Sequence, residues 1–144
     1  MTKVLKIMLL ACIAALSLSS CEKEELRDGD WEDMKWNNPS ELVQQDKVFI
    51  IPADGGSYTF ECKNYHPWIS DVIEGKDYTG QLIFPDIEDF HHLKGAWWEV
   101  KIDKKLVTIT FSPLDSETDA RDLTVDLTAG DIFDHLKFSQ KRES

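Results

Sequence analysis

The sequence predicts an all-β protein, an antiparallel β-sandwich of about seven to eight strands. Three observations lead there. From Lys47 onward apolar and polar residues alternate with period two in segment after segment. Glycine-rich or polar turns such as "PADGG" (52–56) and "AGD" (129–131) separate those segments. No segment sustains the apolar stripe of a helix, so two sheets sharing one core remain the economical architecture.

In chain order, "KVFII" (47–51) is the first strand and leads through the Gly55-Gly56 turn into "SYTFECK" (57–63). There Tyr58, Phe60 and Cys62 alternate with Ser57, Thr59 and Glu61, which points Cys62 inward as an inert thiol. "PWISDVI" (67–73) and "QLIF" (81–84) follow as shorter strands. In "WWEVKID" (97–103), Trp98, Val100 and Ile102 share one face, which leaves Trp97, Glu99 and Lys101 on the other. "LVTITF" (106–111) buries Val107, Ile109 and Phe111. "RDLTVDL" (121–127) aligns Leu123, Val125 and Leu127, and "IFDHLKFSQ" (132–140) turns Ile132, Leu136 and Phe138 inward.

The N-terminal residues have a different design. Lys3 and Lys6 precede an uncharged run, "IMLLACIAALSL" (7–18), followed by Ser19, Ser20 and Cys21. A basic start, a short apolar centre and a small-residue exit make a secretory signal, and the run falls short of the roughly 20 residues a membrane-spanning helix needs. Leu18-Ser19-Ser20-Cys21 resembles the lipobox of bacterial lipoproteins, which implies a signal peptide over 1–20 and an acylated Cys21. Each buried acyl CH₂ contributes about 0.8 kcal/mol, so two or three chains, palmitate among them, anchor a protein stably. Glu22-Lys23-Glu24-Glu25 resembles the acidic export signal that sends some outer-membrane lipoproteins to the cell exterior. Residues 21–45 read as an acidic tether, with Trp31, Met34 and Trp36 covering a flank of the domain that follows over 46–144.

The chain carries 27 acidic and 16 basic residues, a net charge of −11, and loss of Lys3 and Lys6 with the signal makes it more acidic still. Nucleic acid and anionic lipid surfaces are therefore poor partners, since both need clustered basic side chains. Neutral glycans and basic proteins fit the charge better. Cys12 leaves with the signal and Cys21 takes the lipid, so Cys62 has no partner for an intrachain disulfide.

Gly55-Gly56 before an alternating strand, Trp68 in the next segment, a tryptophan strand at Trp98, Arg121 opening the penultimate strand and a final strand ending Ser139-Gln140 resemble the BACON domain family. That resemblance spans about Val48 to Lys141. It implies an immunoglobulin-like sandwich of a bacterial surface protein, with carbohydrate or mucin as the proposed ligand and Trp68 as a packing tryptophan. Residues from Glu74 to Ala96 are an insertion relative to the family pattern.

No spacing selects a catalytic carboxylate pair from so many acids, and neither a phosphate loop nor a Ser-His-Asp pattern occurs. The expectation is a non-enzyme without cofactor. "PDIEDFHH" (85–92) gathers acids and histidines without metal-ligand spacing and reads as a solvated loop. For binding, an outward Trp97 is the leading aromatic platform, with Tyr78, Asp89 and Phe90 of the insertion beside it. Two roles follow: a surface-exposed outer-membrane lipoprotein that binds polysaccharide or mucin glycan, or an assembly lipoprotein that docks a protein of an outer-membrane complex and binds no sugar.

Overall fold

Alternation becomes structure because every second side chain leaves water. In β4 (Gly56–Cys62), Tyr58, Phe60 and Cys62 are buried while Ser57 and Thr59 stay exposed. The computed structural model describes residues 31–76 and 79–143. Cys21 with its lipobox, and Tyr78, lie outside those residues.

The described residues form eleven strands: β1 (Trp36–Asn37), β2 (Val43–Gln45), β3 (Val48–Ile51), β4, β5 (Trp68–Glu74), β6 (Gln81–Ile83), β7 (His92–Lys94), β8 (Trp98–Asp103), β9 (Leu106–Phe111), β10 (Ala120–Ala129) and β11 (Ile132–Lys141). The count exceeds the expected seven to eight because β1, β2 and β7 are only two or three residues long, too short to show a period. They build two packed sheets. One has the order β1-β4-β9-β8-β7 and the other β2-β3-β11-β10-β5-β6. All pairs are antiparallel except β3 with β11.

Between the sheets lie Phe49, Phe60, Ile69, Trp98, Val125 and Phe138 among others. Phe60 meets Phe49 and Phe138 edge-on at centroid distances of 5.0 and 5.6 Å. Full burial of such a ring contributes about 1.5–3 kcal/mol, so this cluster is a substantial part of the hydrophobic term. Cys62 is buried, as the alternation predicts. Trp68 departs from its expected role as a buried tryptophan: alternation with the buried Ile69 places it half-exposed on the outer face, and Trp98, at 2% exposure, is the core tryptophan.

Two chain segments cross from one sheet to the other and close the two sides of the sandwich. The first runs from β1, beside β4, to β2, beside β3. The second runs from β6, beside β5, to β7, beside β8. The first falls within residues expected to be tether. Met34 is 6% exposed, Trp36 and Leu42 pack on the core, and the folded unit therefore begins at Glu32 rather than at residue 46.

One end of the sandwich is tied by a polar pair on opposed strands, Arg121 and Gln140. Arg121 Nε donates to Gln140 Oε1 at 2.8 Å, and the amide of Gln140, 1% exposed, donates to Ser112 O at 2.9 Å and Pro52 O at 3.2 Å. The buried amide of Gln140 thereby finds acceptors that water cannot supply there. Gly55 belongs to the same end. Its φ is +76°, and a Cβ there would lie 2.2 Å from Phe111 O, so no side chain fits.

Candidate functional site

The first crossing segment builds a groove. Asn38-Pro39-Ser40 turns the chain out of β1, closed by Leu42 N–H donating to Pro39 O at 3.3 Å. Asp46 and Lys47 then join β2 to β3 with φ of +50° and +67°. Positive φ at both residues of a two-residue loop matches the twist of the paired strands, so this turn fixes the β2–β3 hairpin at the groove wall.

The groove encloses about 720 Å³, and Trp36, Asn38, Gln44, Asp134, His135 and Lys137 are among its walls. Trp36 Nε1 donates to Asp134 Oδ2 at 2.9 Å. Asp134 occupies the same strand parity as the buried Leu136 and Phe138, so the indole gives this carboxylate a partner and is itself held in one orientation. Trp36 is half-buried and packs on the core, so the amides, carboxylates, imidazole and ammonium around it are the groups that can meet the hydroxyl rim of a sugar ring.

Beside the groove, Asp134 and His135 also line a smaller depression with Ser70, Asp71, Asp126 and Phe133. Strand register sets His135 opposite Asp126 and Asp126 opposite Asp71, a row of three ionisable side chains across the outer face. A register shift in β5 falls next to that row. Burial, then a hydrogen bond with Asp71 and repulsion by its charge, pushes the Asp126 carboxyl up to about 7, against the pull of Lys137. Asp71 Oδ1 is buried with no hydrogen-bond partner among the described residues, and Oδ2 accepts from Ser70 Oγ at 3.3 Å. Sequence reasoning missed this row. The β10–β11 turn at Gly130-Asp131 fixes the Asp126–His135 pair by counting outward, whereas Asp71 arrives through a long-range pairing that no local signal announces.

No family model matches the chain, and no curated protein matches it. Among solved structures it is similar to an NMR structure of a protein from Bacteroides thetaiotaomicron, with 32% identity over 83% of this chain and 98% of that one and a TM-score of 0.64. The chain belongs to the family of that Bacteroides protein. Membership fixes the architecture and leaves the ligand to the residues of each member.

In this member of the Bacteroides family, Trp97 is half-buried and packs against the core. Its ring lies 6.4 Å from that of Phe111, and the Arg121 guanidinium carbon stands 4.3 Å from its centroid. Trp97 N–H and C=O lie in the chain between β7 and β8, where its carbonyl accepts from Ser112 N–H at 2.9 Å. The indole expected to be a free platform is thus occupied by the protein itself. Asp89 and Phe90 are exposed in the insertion: Asp89 Oδ1 accepts from His91 N–H at 3.0 Å, and Phe90 O accepts from Ile69 N–H at 2.8 Å. His92 Nε2 and Glu99 Oε2, 2.8 Å apart, pair across β7 and β8, which holds the Glu99 carboxyl below its ordinary value.

Proposed function

We propose that this chain is a surface-exposed outer-membrane lipoprotein, anchored through acylated Cys21, whose immunoglobulin-like sandwich binds a polysaccharide or mucin glycan without catalysis. The immunoglobulin-like assignment is supported by the sheet orders and by the parallel pairing of β3, near the start of the folded unit, with the last strand β11. The anchor is supported by the apolar run and the small residues that precede Cys21.

The observation that carries the binding role is the Trp36 groove. An indole held by Asp134 stands among amide and charged side chains. Hydrogen bonds from the exposed amides of Asn38 and Gln44 suit a neutral sugar, and Lys137 at the wall suits an acidic one such as a mucin terminus.

Affinity electrophoresis through gels containing mucin or neutral polysaccharides tests the role. At least one polysaccharide should retard the protein, and Asn38→Ala combined with Gln44→Ala should remove the retardation without lowering Tm, since both residues are exposed. Migration unaltered by every polysaccharide would refute sugar binding. Cys21→Ala should move the protein from the membrane to the soluble fraction.

A further inference from the structure

The second crossing segment carries an unusual surface. Leu82, Phe84, Ile87 and Phe90 are 52%, 66%, 81% and 40% exposed, four large apolar side chains within a short stretch of chain. Asp86, Glu88 and Asp89 are interleaved with them and are also exposed.

Crossing between sheets does not demand this. The first segment performs the same crossing with Met34 buried and with Trp36 and Leu42 packed inward. Nor is the second segment loosely held. Asp89 N–H donates to Asp86 O at 2.9 Å, Glu88 N–H to Asp86 Oδ1 at 3.1 Å, and the far end is bonded to both sheets through Phe90 O with Ile69 and His91 O with Ile102, each 2.8 Å. A crest ordered in advance loses little conformational entropy on binding. Large apolar side chains left exposed within a short stretch of chain mark a candidate contact surface.

We propose that the 82–90 crest docks a segment of a protein partner that presents large apolar side chains flanked by lysine or arginine. Charge selects that occupant. A second copy of this chain would bring a net charge of −11 against the same acidic crest. A bilayer would have to take in Asp86, Glu88 and Asp89 with the apolar side chains between them, and buried unpaired carboxylates are costly. A basic, apolar segment instead pairs its cations with those carboxylates while its apolar side chains cover Phe84, Ile87 and Phe90. The crest stands on the opposite crossing from the Trp36 groove, so docking and sugar binding are independent properties.

The test selects random twelve-residue peptides on the full-length lipoprotein in detergent micelles. Enriched peptides should combine Lys or Arg with large apolar residues, and their affinity should fall by about tenfold or more for Phe84→Ser with Ile87→Ser, the loss of a binding anchor. Asp86→Asn with Glu88→Gln should weaken binding severalfold and remove most of its salt dependence. Both double variants alter exposed side chains, and an unchanged Tm verifies folding. Peptides that bind all variants equally, enriched peptides without cationic residues, or no enrichment at all would overturn the proposal. Polysaccharide retardation measured on the same variants should be unchanged.

Discussion

The two crossing segments close opposite sides of one sandwich and treat their apolar residues in opposite ways. The first, from Met34 to Gln45, turns Met34, Trp36 and Leu42 inward and leaves amides and charges at its rim, with Val43 as its exposed apolar residue. In the second, from Gln81 to Lys94, only Ile83 and Leu93 pack on the core, while Leu82, Phe84, Ile87 and Phe90 face water. Since each segment meets the same demand, a link between sheet edges, closure alone does not explain what the second exposes. Its outward apolar residues stand free of the fold's requirements and are available for a partner, whereas the first segment's aromatic residue is committed to a groove.

The largest test of that contrast is Trp98→Ala. Trp98 carries the end of the second crossing, where its carbonyl accepts from Gly95 N–H at 2.9 Å and its indole donates to Glu74 Oε1 at 2.5 Å. Emptying the site should cost about 3–5 kcal/mol in denaturant unfolding. Met34→Ala should cost about 2 kcal/mol or more, because a buried methionine anchors the first crossing; a loss under 0.5 kcal/mol would make residues 32–45 the tether that their composition suggests. Trp97→Ala should cost about 1–2 kcal/mol, between core and surface values, since the ring is half-buried and meets Arg121.

The outer-face row gives a pH dependence. The folded Asp126 carboxyl holds its proton up to about pH 7, while the unfolded one releases it near 3.8. Between those values the native state binds the extra proton, so stability falls as pH rises through the window and levels off above it. Tm should drop by several degrees from pH 5 to pH 8, and Asp126→Asn should flatten the slope; a slope unchanged in that variant would place its origin elsewhere. The smallest effect belongs to Ile87→Ser, which should move stability by less than about 0.5 kcal/mol.

Much of this molecule was legible in its sequence. Alternation placed β4, β8, β9, β10 and β11 and their inward residues, because a two-sided strand must write its period into the chain, while β3 was legible only as a short apolar run. Strands β1, β2 and β7 left no such trace, since two or three residues have no period, and their pairing depends on neighbours distant in sequence. Trp97 shows where face assignment stops. Alternation set it opposite Trp98, and Arg121, which the sequence marked only as a strand opening, reaches over its ring. The groove was harder still. Trp36, Asp134 and His135 come from opposite ends of the folded unit, and only the meeting of β1 with β11 brings them together.

Amide chemical shifts of the ¹⁵N-labelled protein, followed while a retarding oligosaccharide is added, test most directly whether the two crossings serve different ends. The Trp36 indole N–H, Asn38, Gln44 and His135 should move in a saturable manner, and residues 82–90 should stay unmoved until a cationic peptide is added. Shifts concentrated at residues 82–90 on addition of sugar, or at Trp36 on addition of peptide, would contradict the division.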